Sequence, residues 1–219
     1  MSNATQHITV CICTYKRPRF LKRLLEELGR QDMEGRFTYS VVVADNDHLQ
    51  SGETVVRDFA FASGMPIRYC VEPRQNIALA RNMAIENASG DFVAFIDDDE
   101  KPSPDWLIRL AEALDSYDAE GVLGPVLPHF EKPPPNWILR GRFFDRPSPP
   151  TGTRLQWKQT RTGNVLLRRK IFDDPENRFR PEYGRGGEDS DFFRRMITKG
   201  MHFVWCAEAT VHETVPVER

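Results

Sequence analysis

Residues 91–100 read DFVAFIDDDE, an apolar run that breaks abruptly into acidic side chains. The uninterrupted apolar run predicts a buried β-strand over 91–97. Asp97, Asp98 and Asp99 repel one another where this strand ends, so either water screens them in a solvated turn or a cation neutralises them. Because a buried strand holds its end rigidly, we favour the cation, and hard oxygen ligands indicate Mg²⁺ or Mn²⁺.

Three further strands precede this one, and amphipathic segments separate them. The predicted strands span 8–14, 39–45 and 66–72, and the predicted helices begin after Pro18, near 53–62 and at 77–88. After the acidic run, Ser103 is predicted to be the N-cap of a helix with Pro104 at its first position. Strands that alternate with helices pair in parallel through right-handed crossovers. The sequence therefore predicts an α/β fold, with a Rossmann-like, mostly parallel central sheet flanked by helices.

Polar clusters follow three of the predicted strands. Residues 14–17 (TYKR) follow the first strand, 45–47 (DND) the second and 97–100 (DDDE) the fourth. One such cluster is weak support, because loops at strand ends are often polar. Parallel strands bring their carboxyl ends to one edge, however, and ligands bind at that edge in open α/β sheets. The three clusters together predict a ligand site there.

Several side chains near this edge suit a nucleotide. Asp45 follows an almost wholly apolar strand, and its carboxylate suits a nucleobase N–H group. Arg17, Arg74 and Arg81 present planar donors for phosphate or a base carbonyl, although a surface salt bridge is the alternative for Arg81. Asn76 either contacts the same ligand or caps the helix that follows it.

The second half of the chain departs from this regularity. Residues 132–150 (KPPPNWILRGRFFDRPSPP) mix aromatic side chains with arginines and prolines, without a regular period. This segment is either a loop whose aromatics cap the core or a surface for a sugar, a lipid phosphate or a membrane. A strand is predicted over 161–169, a glycine-rich turn entering a helix over 184–200, and one or two short strands over 202–213.

Two acidic residues open that helix. Glu188 and Asp189 either complement the helix dipole or include a base that takes a proton from an attacking hydroxyl, since the preceding glycines allow a substrate to approach closely. His212 is either an exposed histidine or a residue that completes a metal shell.

Composition bounds the class of protein. A chain of 219 residues with 40% hydrophobic residues suits one domain. The net charge of −2 gives no general attraction to nucleic acid. No apolar run reaches the length of a membrane span, and the first residues lack a signal-peptide pattern. We therefore expect a soluble, cytoplasmic protein whose four cysteines are buried, reduced thiols.

Six motifs in this order resemble the inverting family 2 glycosyltransferases of GT-A fold: CICTYKRP, VVVADND, NIALARNMAI, FIDDDE, GNVLLRR and GGEDSDFF. VLGPV, PPNW and GGEDSDFFRR further resemble bacterial exopolysaccharide chain-elongating enzymes of the succinoglycan β-glucosyltransferase type. The resemblance implies a single GT-A domain with a small acceptor-side subregion. Its half over 1–127 would bind the nucleotide sugar, and its half over 128–219 would bind the acceptor and hold the catalytic residues.

The resemblance also implies roles for the residues of the nucleotide half. Thr14, Tyr15 and Arg17 would line the nucleotide pocket. Asp45 would read the base, and Arg81 would flank the base or the diphosphate.

Further roles follow from the resemblance for the acidic residues. Asp97 or Asp98 would bind the ribose. Asp99 would bind the metal, and a histidine at the position of His212 is a metal ligand in some members. In the catalytic half, Asp189 would be the base, and Glu188 would orient the acceptor or support that base.

Such an enzyme would move a sugar, most simply from a UDP-hexose, to a hydroxyl of a saccharide or polyprenyl-linked saccharide in bacterial polysaccharide synthesis. The anomeric centre would be inverted, and Mn²⁺ or Mg²⁺ would be the cofactor. The segment NWILRGRFF suggests peripheral contact with the inner face of the cell membrane. The alternatives are a metal-dependent nucleotide-sugar phosphohydrolase or nucleotidyltransferase, and a non-catalytic sugar-nucleotide sensor.

Overall fold

The centre of the protein is a seven-stranded sheet, seen in a computed structural model that describes residues 5–141, 144 and 146–215. The strands of the protein are β1 (Gln6–Thr14), β2 (Phe37–Asp45), β3 (Ile67–Val71), β4 (Phe92–Asp97), β5 (Glu100–Pro102), β6 (Gly121–Leu123), β7 (Val126–Phe130), β8 (Asn164–Arg168), β9 (Phe203–Trp205) and β10 (Val211–Val215). The central sheet has the order β3-β2-β1-β4-β8-β6-β9. Its neighbours pair in parallel except around β8, which is antiparallel to β4 and β6. The expected α/β fold with a mostly parallel sheet is confirmed.

Helices connect the strands. They are α1 (Pro18–Leu28), α2 (Glu53–Ser63), α3 (Ile77–Asn87), α4 (Trp106–Ser116), α5 (Asn136–Gly141) and α6 (Glu188–Thr198). The prediction that Ser103 caps α4 was wrong. The helix begins at Trp106 after Asp105, and the Trp106 N–H donates to the Ser103 carbonyl at 3.1 Å, which closes a tight turn before the helix.

Apolar side chains cover both faces of the sheet. On one face, α1 buries a stripe of leucines at helical spacing, and α4 packs through Trp106. On the other face, α3 and α6 pack over a cluster of phenylalanine rings, in which the centroids of Phe179 and Phe192 lie 4.7 Å apart. Because Phe192 and Phe193 of α6 are fully buried, the first turn of this helix has a fixed position over the sheet.

The strand register brings the predicted polar clusters together. Thr14 pairs with Asp45, and Cys13 pairs with Asp97. Since β8 runs in the opposite direction, its first residue, Asn164, pairs with Ile96. The ends of β1, β2 and β4 and the beginning of β8 therefore lie at one edge of the sheet.

A second, three-stranded sheet of order β5-β10-β7 lies directly after the acidic run. The closing strand expected within 202–213 is present as β10, and His212 lies inside it and pairs with Lys101 of β5. The Thr214 N–H donates to the Asp99 carbonyl at 3.0 Å. This sheet therefore fixes the backbone of the acidic run from its far side.

The proline-rich segment contains one short helix, α5, with exposed Trp137 and Arg140. Arg142 and Phe143 of the same segment lie outside the described residues. Across the part of the chain that the structure covers, every helix is too short or too polar to traverse a lipid bilayer. All four cysteines are free; Cys11 and Cys206 are buried as expected, whereas Cys13 and Cys70 are only partly buried.

Candidate active site

A cavity of about 800 Å³ lies at the carboxyl-terminal edge of the parallel strands. It is lined by the ends of β1 and β4, the loops after β2 and β3, the loop before α6 and one residue of β10: Cys13, Thr14, Tyr15, Arg17, Asn46, Gln75, Asn76, Ile77, Asp97, Asp98, Asp99, Gly184, Arg185 and Glu213. Seven of the residues predicted from the sequence are among them: Thr14, Tyr15, Arg17, Asn76, Asp97, Asp98 and Asp99. Loops from both halves of the chain thus enclose one site.

Side chains from β1 and the turn after it hold the acidic run. Thr14 Oγ1 donates to Asp98 Oδ2 at 2.7 Å. Nη1 of Arg17 lies 3.1 Å from Asp98 Oδ1 and 2.9 Å from Asp99 Oδ2. Lys16 adopts a φ of 56°, a left-handed conformation that turns the chain between these side chains. The end of β1 therefore sets the positions of the second and third aspartates.

Burial changes the protonation behaviour of this acidic run. It raises the pKa of Asp98 to about 6, against the opposing effects of the Thr14 hydrogen bond and the Arg17 charge. The pKa of Asp97 is also raised by loss of solvation, with the charge of Arg81 acting against the rise. Burial raises the pKa of Glu100 well above its ordinary value. These carboxyl groups therefore hold a proton more readily than free carboxyl groups do, chiefly because they are desolvated.

The donor set fits a divalent cation. Asp98 and Asp99 already hold one positive group, the Arg17 guanidinium, and Glu213 adds a carboxylate to the same cavity. Within the described ranges, no three His, Cys, Asp or Glu side chains form a preassembled metal cage. Mg²⁺ is commonly held by only one or two carboxylates together with substrate phosphates. A metal position at Asp99, with its remaining ligands supplied by a diphosphate, agrees with this arrangement.

Asp45 lies beside the cavity but does not line it. Its carboxylate is fully buried and accepts hydrogen bonds from the N–H groups of Asp47 (3.0 Å) and Gly52 (2.7 Å) and from the Tyr69 hydroxyl (2.7 Å). These bonds fold the loop after β2. Asn46, the next residue, reaches the cavity instead. Asp45 lies at the end of β2, as the sequence predicted, and its base-reading role stays a prediction.

Arg81 forms a buried ion pair beneath the cavity. Its guanidinium contacts the Glu188 carboxylate, and both side chains are less than 10% exposed. A second carboxylate, Asp97, lies 3.8 Å from Arg81 Nη2. The Arg81 guanidinium also lies 5.7 Å from the centre of the Phe179 ring. Arg81 therefore connects the first turn of α6 to the end of β4, and its expected role at the base or diphosphate stays a prediction.

Asp189 lies in the first turn of α6, next to the cavity. Gly187, with a φ of 90°, starts this helix, and the Ser190 N–H donates to Asp189 Oδ1 at 2.7 Å. The negative charge of Asp189 contributes to the raised pKa of Asp97. The other carboxylate oxygen of Asp189 makes no hydrogen bond with a residue that the structure describes, so it is available to a substrate hydroxyl.

A close backbone contact joins the loop before α6 to the nucleotide half. Asn76 caps α3 by accepting from the Leu79 N–H at 3.1 Å, and it donates to the Pro181 carbonyl at 2.9 Å. A Cβ at Gly184 would lie 2.1 Å from the Asn76 amide group, so only glycine fits there. Asn76 therefore caps its helix and lines the cavity, which joins the two roles considered for it.

Pattern reasoning missed some of the cavity residues. His212 is not among the lining residues, and Glu213 reaches the cavity because neighbouring residues of a strand face opposite sides. Arg185 brings a further positive charge from the glycine-rich loop. The spacing of charges in GRGGED was visible in the sequence, but the direction of each side chain depends on the register of β10 and on the turn at Gly184.

The chain resembles a known sequence family and known proteins. The sequence pattern described as Glycosyl transferase family 2 matches residues 9–182. The chain is also similar to succinoglycan biosynthesis protein ExoM of Rhizobium meliloti (strain 1021), with 39% identity over 220 residues. That alignment covers 100% of this chain and 70% of the relative.

Solved structures resemble the fold over nearly the whole chain. S. aureus TarS in complex with UDP-GlcNAc matches with a TM-score of 0.73 and 18% identity, over 95% of this chain and 58% of that chain. Mannosyltransferase PcManGT from Pyrobaculum calidifontis, in complex with GDP-Man and Mn²⁺, matches with a TM-score of 0.72 and 20% identity. This match covers 95% of this chain and 57% of the PcManGT chain. At these identities the likeness establishes a shared fold, and the chain spans less than two thirds of either structure.

Proposed function

Because the chain belongs to glycosyl transferase family 2, we propose that it transfers a sugar from a nucleotide-sugar donor to a hydroxyl of a saccharide or lipid-linked saccharide. A UDP-hexose is the first donor to test, because the TarS structure of the same fold contains UDP-GlcNAc. Similarity to ExoM supports a place in bacterial exopolysaccharide synthesis. A metal-dependent nucleotide-sugar phosphohydrolase or nucleotidyltransferase and a non-catalytic sensor remain the alternatives, and family membership favours transfer over them.

One observation carries the proposal. The cavity brings Thr14, Arg17 and the three aspartates of the β4 end together with the loop that leads directly into Asp189. A phosphate-handling site and a candidate base thus lie side by side. A phosphohydrolase would need an attacking water beside phosphorus, and it is the match to glycosyl transferase family 2 that favours an alcohol attacking carbon instead.

The described residues have separable roles in an inverting transfer. Asp189 would take the proton from the acceptor hydroxyl as that oxygen attacks the anomeric carbon. The bond from that carbon to the diphosphate oxygen would break, and the nucleoside diphosphate would leave on the opposite side. Arg17 and Arg185 would attract its negative charge. Glu188, held by Arg81, would keep the first turn of α6 in place.

The residues of the cavity fit a divalent cation with Asp99 as its carboxylate ligand. His212 was expected to add a second ligand. The side chain of β10 that lines the cavity is Glu213 instead. A bound Mn²⁺ or Mg²⁺ would neutralise charge on the departing diphosphate. Asp97 or Asp98 would then be free to bind the ribose. We also propose that residues 1–127 mainly bind the donor and residues 128–219 mainly bind the acceptor.

Replacing Asp99 with Ala should weaken Mn²⁺-dependent UDP binding by about tenfold or more, since even partners outside a metal's ligand set typically cost that much. Calorimetric titration of UDP with Mn²⁺, and with EDTA in its place, measures the change. Asp115→Ala, which removes an exposed carboxylate from α4, is the matched control and should bind as the wild type does. Equal UDP affinity for wild type and Asp99→Ala in Mn²⁺ would contradict the assignment of Asp99.

Product analysis tests the proposed function itself. The purified protein is incubated with Mn²⁺, a panel of nucleotide sugars and a mixed saccharide acceptor. Nucleoside diphosphate and a new glycoside, formed in equal amounts, are the expected products. Release of nucleoside monophosphate would support the phosphohydrolase, and tight donor binding without any product would support the sensor.

Peripheral membrane contact stays a prediction. It is supported by the exposed position of Trp137 beside Arg140 on α5. Flotation with vesicles that contain anionic lipid should recover the wild-type protein and less of Arg140→Gln, because each basic residue near such a surface adds about 1 kcal/mol of attraction. Lys22→Gln, at an exposed position of α1, is the control. Equal recovery of all three proteins, or recovery of none, would argue against this contact.

A further inference from the structure

A second cavity, of about 440 Å³, lies beside the candidate active site and is called the basic cavity below. Its lining consists of Arg146, Pro147, Pro149, Leu155, Lys158, Gln159, Thr160, Arg161 and Trp205. Three of these side chains are cationic, and none of these lining residues is acidic. Cations that share a confined space repel one another, so this lining favours an anionic occupant.

Arg161 is the least satisfied of the three cations. Its Nε–H is buried and has no hydrogen-bond partner among the described residues. A buried donor without a partner costs about 1–3 kcal/mol, and more when the group is charged. Burial, followed by the nearby charge of Arg146, lowers the pKa of Arg161. The carboxylates of Glu100, Glu213 and Asp189 act against this lowering, but none of them accepts a hydrogen bond from the Nε–H group.

The basic cavity adjoins the reacting groups. Arg146 lies 3.5 Å from the Glu213 carboxylate, which lines the donor cavity. The charges of Glu213 and Asp189 also act on Arg161. Two residues after Arg161, a Cβ at Gly163 would lie 3.2 Å from Asp97 Oδ2, so the chain runs from the basic cavity directly past the acidic run. Asp189 is thus close enough to act electrostatically on both Asp97 of the donor cavity and Arg161 of the basic cavity.

The shape and the apolar part of the lining suit a sugar. Trp205, which is almost fully buried, Pro147, Pro149 and Leu155 supply apolar surface to the lining. Sugar rings carry apolar C–H faces that pack on such surfaces, while arginine recognises carboxylate and phosphate oxygens through paired N–H donors. A space of about 440 Å³ has room for one sugar unit and its charged substituent.

We propose that the basic cavity binds an anionic group of the acceptor, a carboxylate or a phosphate carried within about one sugar unit of the hydroxyl that reacts. Arg161 is the principal contact, and Lys158 and Arg146 add charge at the rim. This inference rests on the proposed function, because it names a property of the acceptor for that same transfer. It adds a specificity-determining role for residues outside the donor cavity.

Ligand-observed NMR titration tests the inference with three probes: methyl β-D-glucuronide, which carries a carboxylate; glucose 1-phosphate, which carries a phosphate; and neutral methyl β-D-glucoside. The donor cavity is first saturated with UDP and Mn²⁺, so that the phosphate probe has access to the basic cavity alone. Wild type is compared with Arg161→Gln, Arg161→Lys and the matched control Arg57→Gln, which changes an exposed arginine on α2.

Wild type is expected to bind one or both anionic probes more tightly than the neutral glucoside. Arg161→Gln should weaken the anionic probe by about tenfold, the usual size of a lost charged hydrogen bond, and leave the neutral one unchanged. Arg161→Lys should retain part of the preference, and Arg57→Gln all of it. A preference for glucuronide indicates an acidic sugar, and a preference for the phosphate indicates a phosphate linkage.

Equal wild-type affinities for the three probes would overturn the inference, as would an Arg161→Gln variant that loses all probes equally. The result is independent of turnover. If UDP fails to bind or no nucleotide sugar reacts, the proposed function fails, whereas the charge preference of the basic cavity is still decided by the titration.

Discussion

Asp189→Asn is expected to lower kcat for sugar transfer by about 10²–10⁴-fold, the usual contribution of a positioned general base. The substitution keeps the size of the side chain and its contact with the Ser190 N–H through the amide oxygen. It removes the oxygen that would accept the proton of the acceptor. UDP binding in the presence of Mn²⁺ should change by less than about twofold, because Asp189 does not line the donor cavity.

Initial rates and calorimetry on the same protein preparations measure these two quantities. Glu182→Gln is the matched control, since it removes an exposed carboxylate from the turn before α6 without touching the donor cavity. It should transfer sugar at the wild-type rate. An Asp189→Asn variant that loses UDP affinity in proportion to its rate would show that Asp189 acts in binding, and the assignment as base would then be wrong.

Arg81→Met should lower the free energy of unfolding by about 3–5 kcal/mol, the usual cost of leaving one member of a buried ion pair without its partner. Methionine fills a similar volume over Phe179 but leaves the Glu188 carboxylate buried with no described cation in contact. Urea unfolding measures the loss. Arg57→Met, which breaks only an exposed pair with Asp58, should cost less than about 1 kcal/mol.

The double variant Arg81→Met with Glu188→Gln separates two roles of Arg81. Since it removes both charges, it should recover much of the stability that the single variant loses. If Arg81 only positions α6, any UDP affinity that the single variant loses should also recover in the double variant. If Arg81 contacts the base or the diphosphate, as the resemblance implies, stability recovers and UDP affinity does not. A single variant as stable as Arg57→Met would contradict the buried ion pair itself.

The fold was predictable because its signals are local and repeated. Three of the four predicted strands in the first half end at a polar cluster, and parallel pairing through helices follows from the alternation of strands and helices. The register, with Thr14 beside Asp45 and Cys13 beside Asp97, then places the clusters at one edge. The short strands β5, β6 and β7 escaped prediction, because their three to five residues show no clear alternation of apolar and polar side chains.

The candidate site was predictable in composition but less so in the direction of side chains. Asp45 ends its strand as expected, yet Gly52 and Tyr69 hydrogen-bond to its carboxylate and Asn46 lines the cavity. His212 and Glu213 are adjacent in one strand, so a change of register by one residue exchanges them. The Arg161 Nε–H group, which has no hydrogen-bond partner among the described residues, gave no sequence signal, because partners across a fold are set by packing and not by spacing.

The reversed direction of β8 has a consequence for redesign of the protein. β1 and β2 end at the reaction edge and continue into α1 and α2, and β4 continues into β5. β8 instead begins there, and residues 131–163 connect it to β7 between Phe130 and Asn164. That stretch includes most of the wall that faces the basic cavity. Substitutions at its exposed positions, such as Lys158 and Gln159, can alter which acceptors are admitted, whereas Leu155 belongs to a hydrophobic cluster and Gly163 packs against the acidic run, so both must be kept.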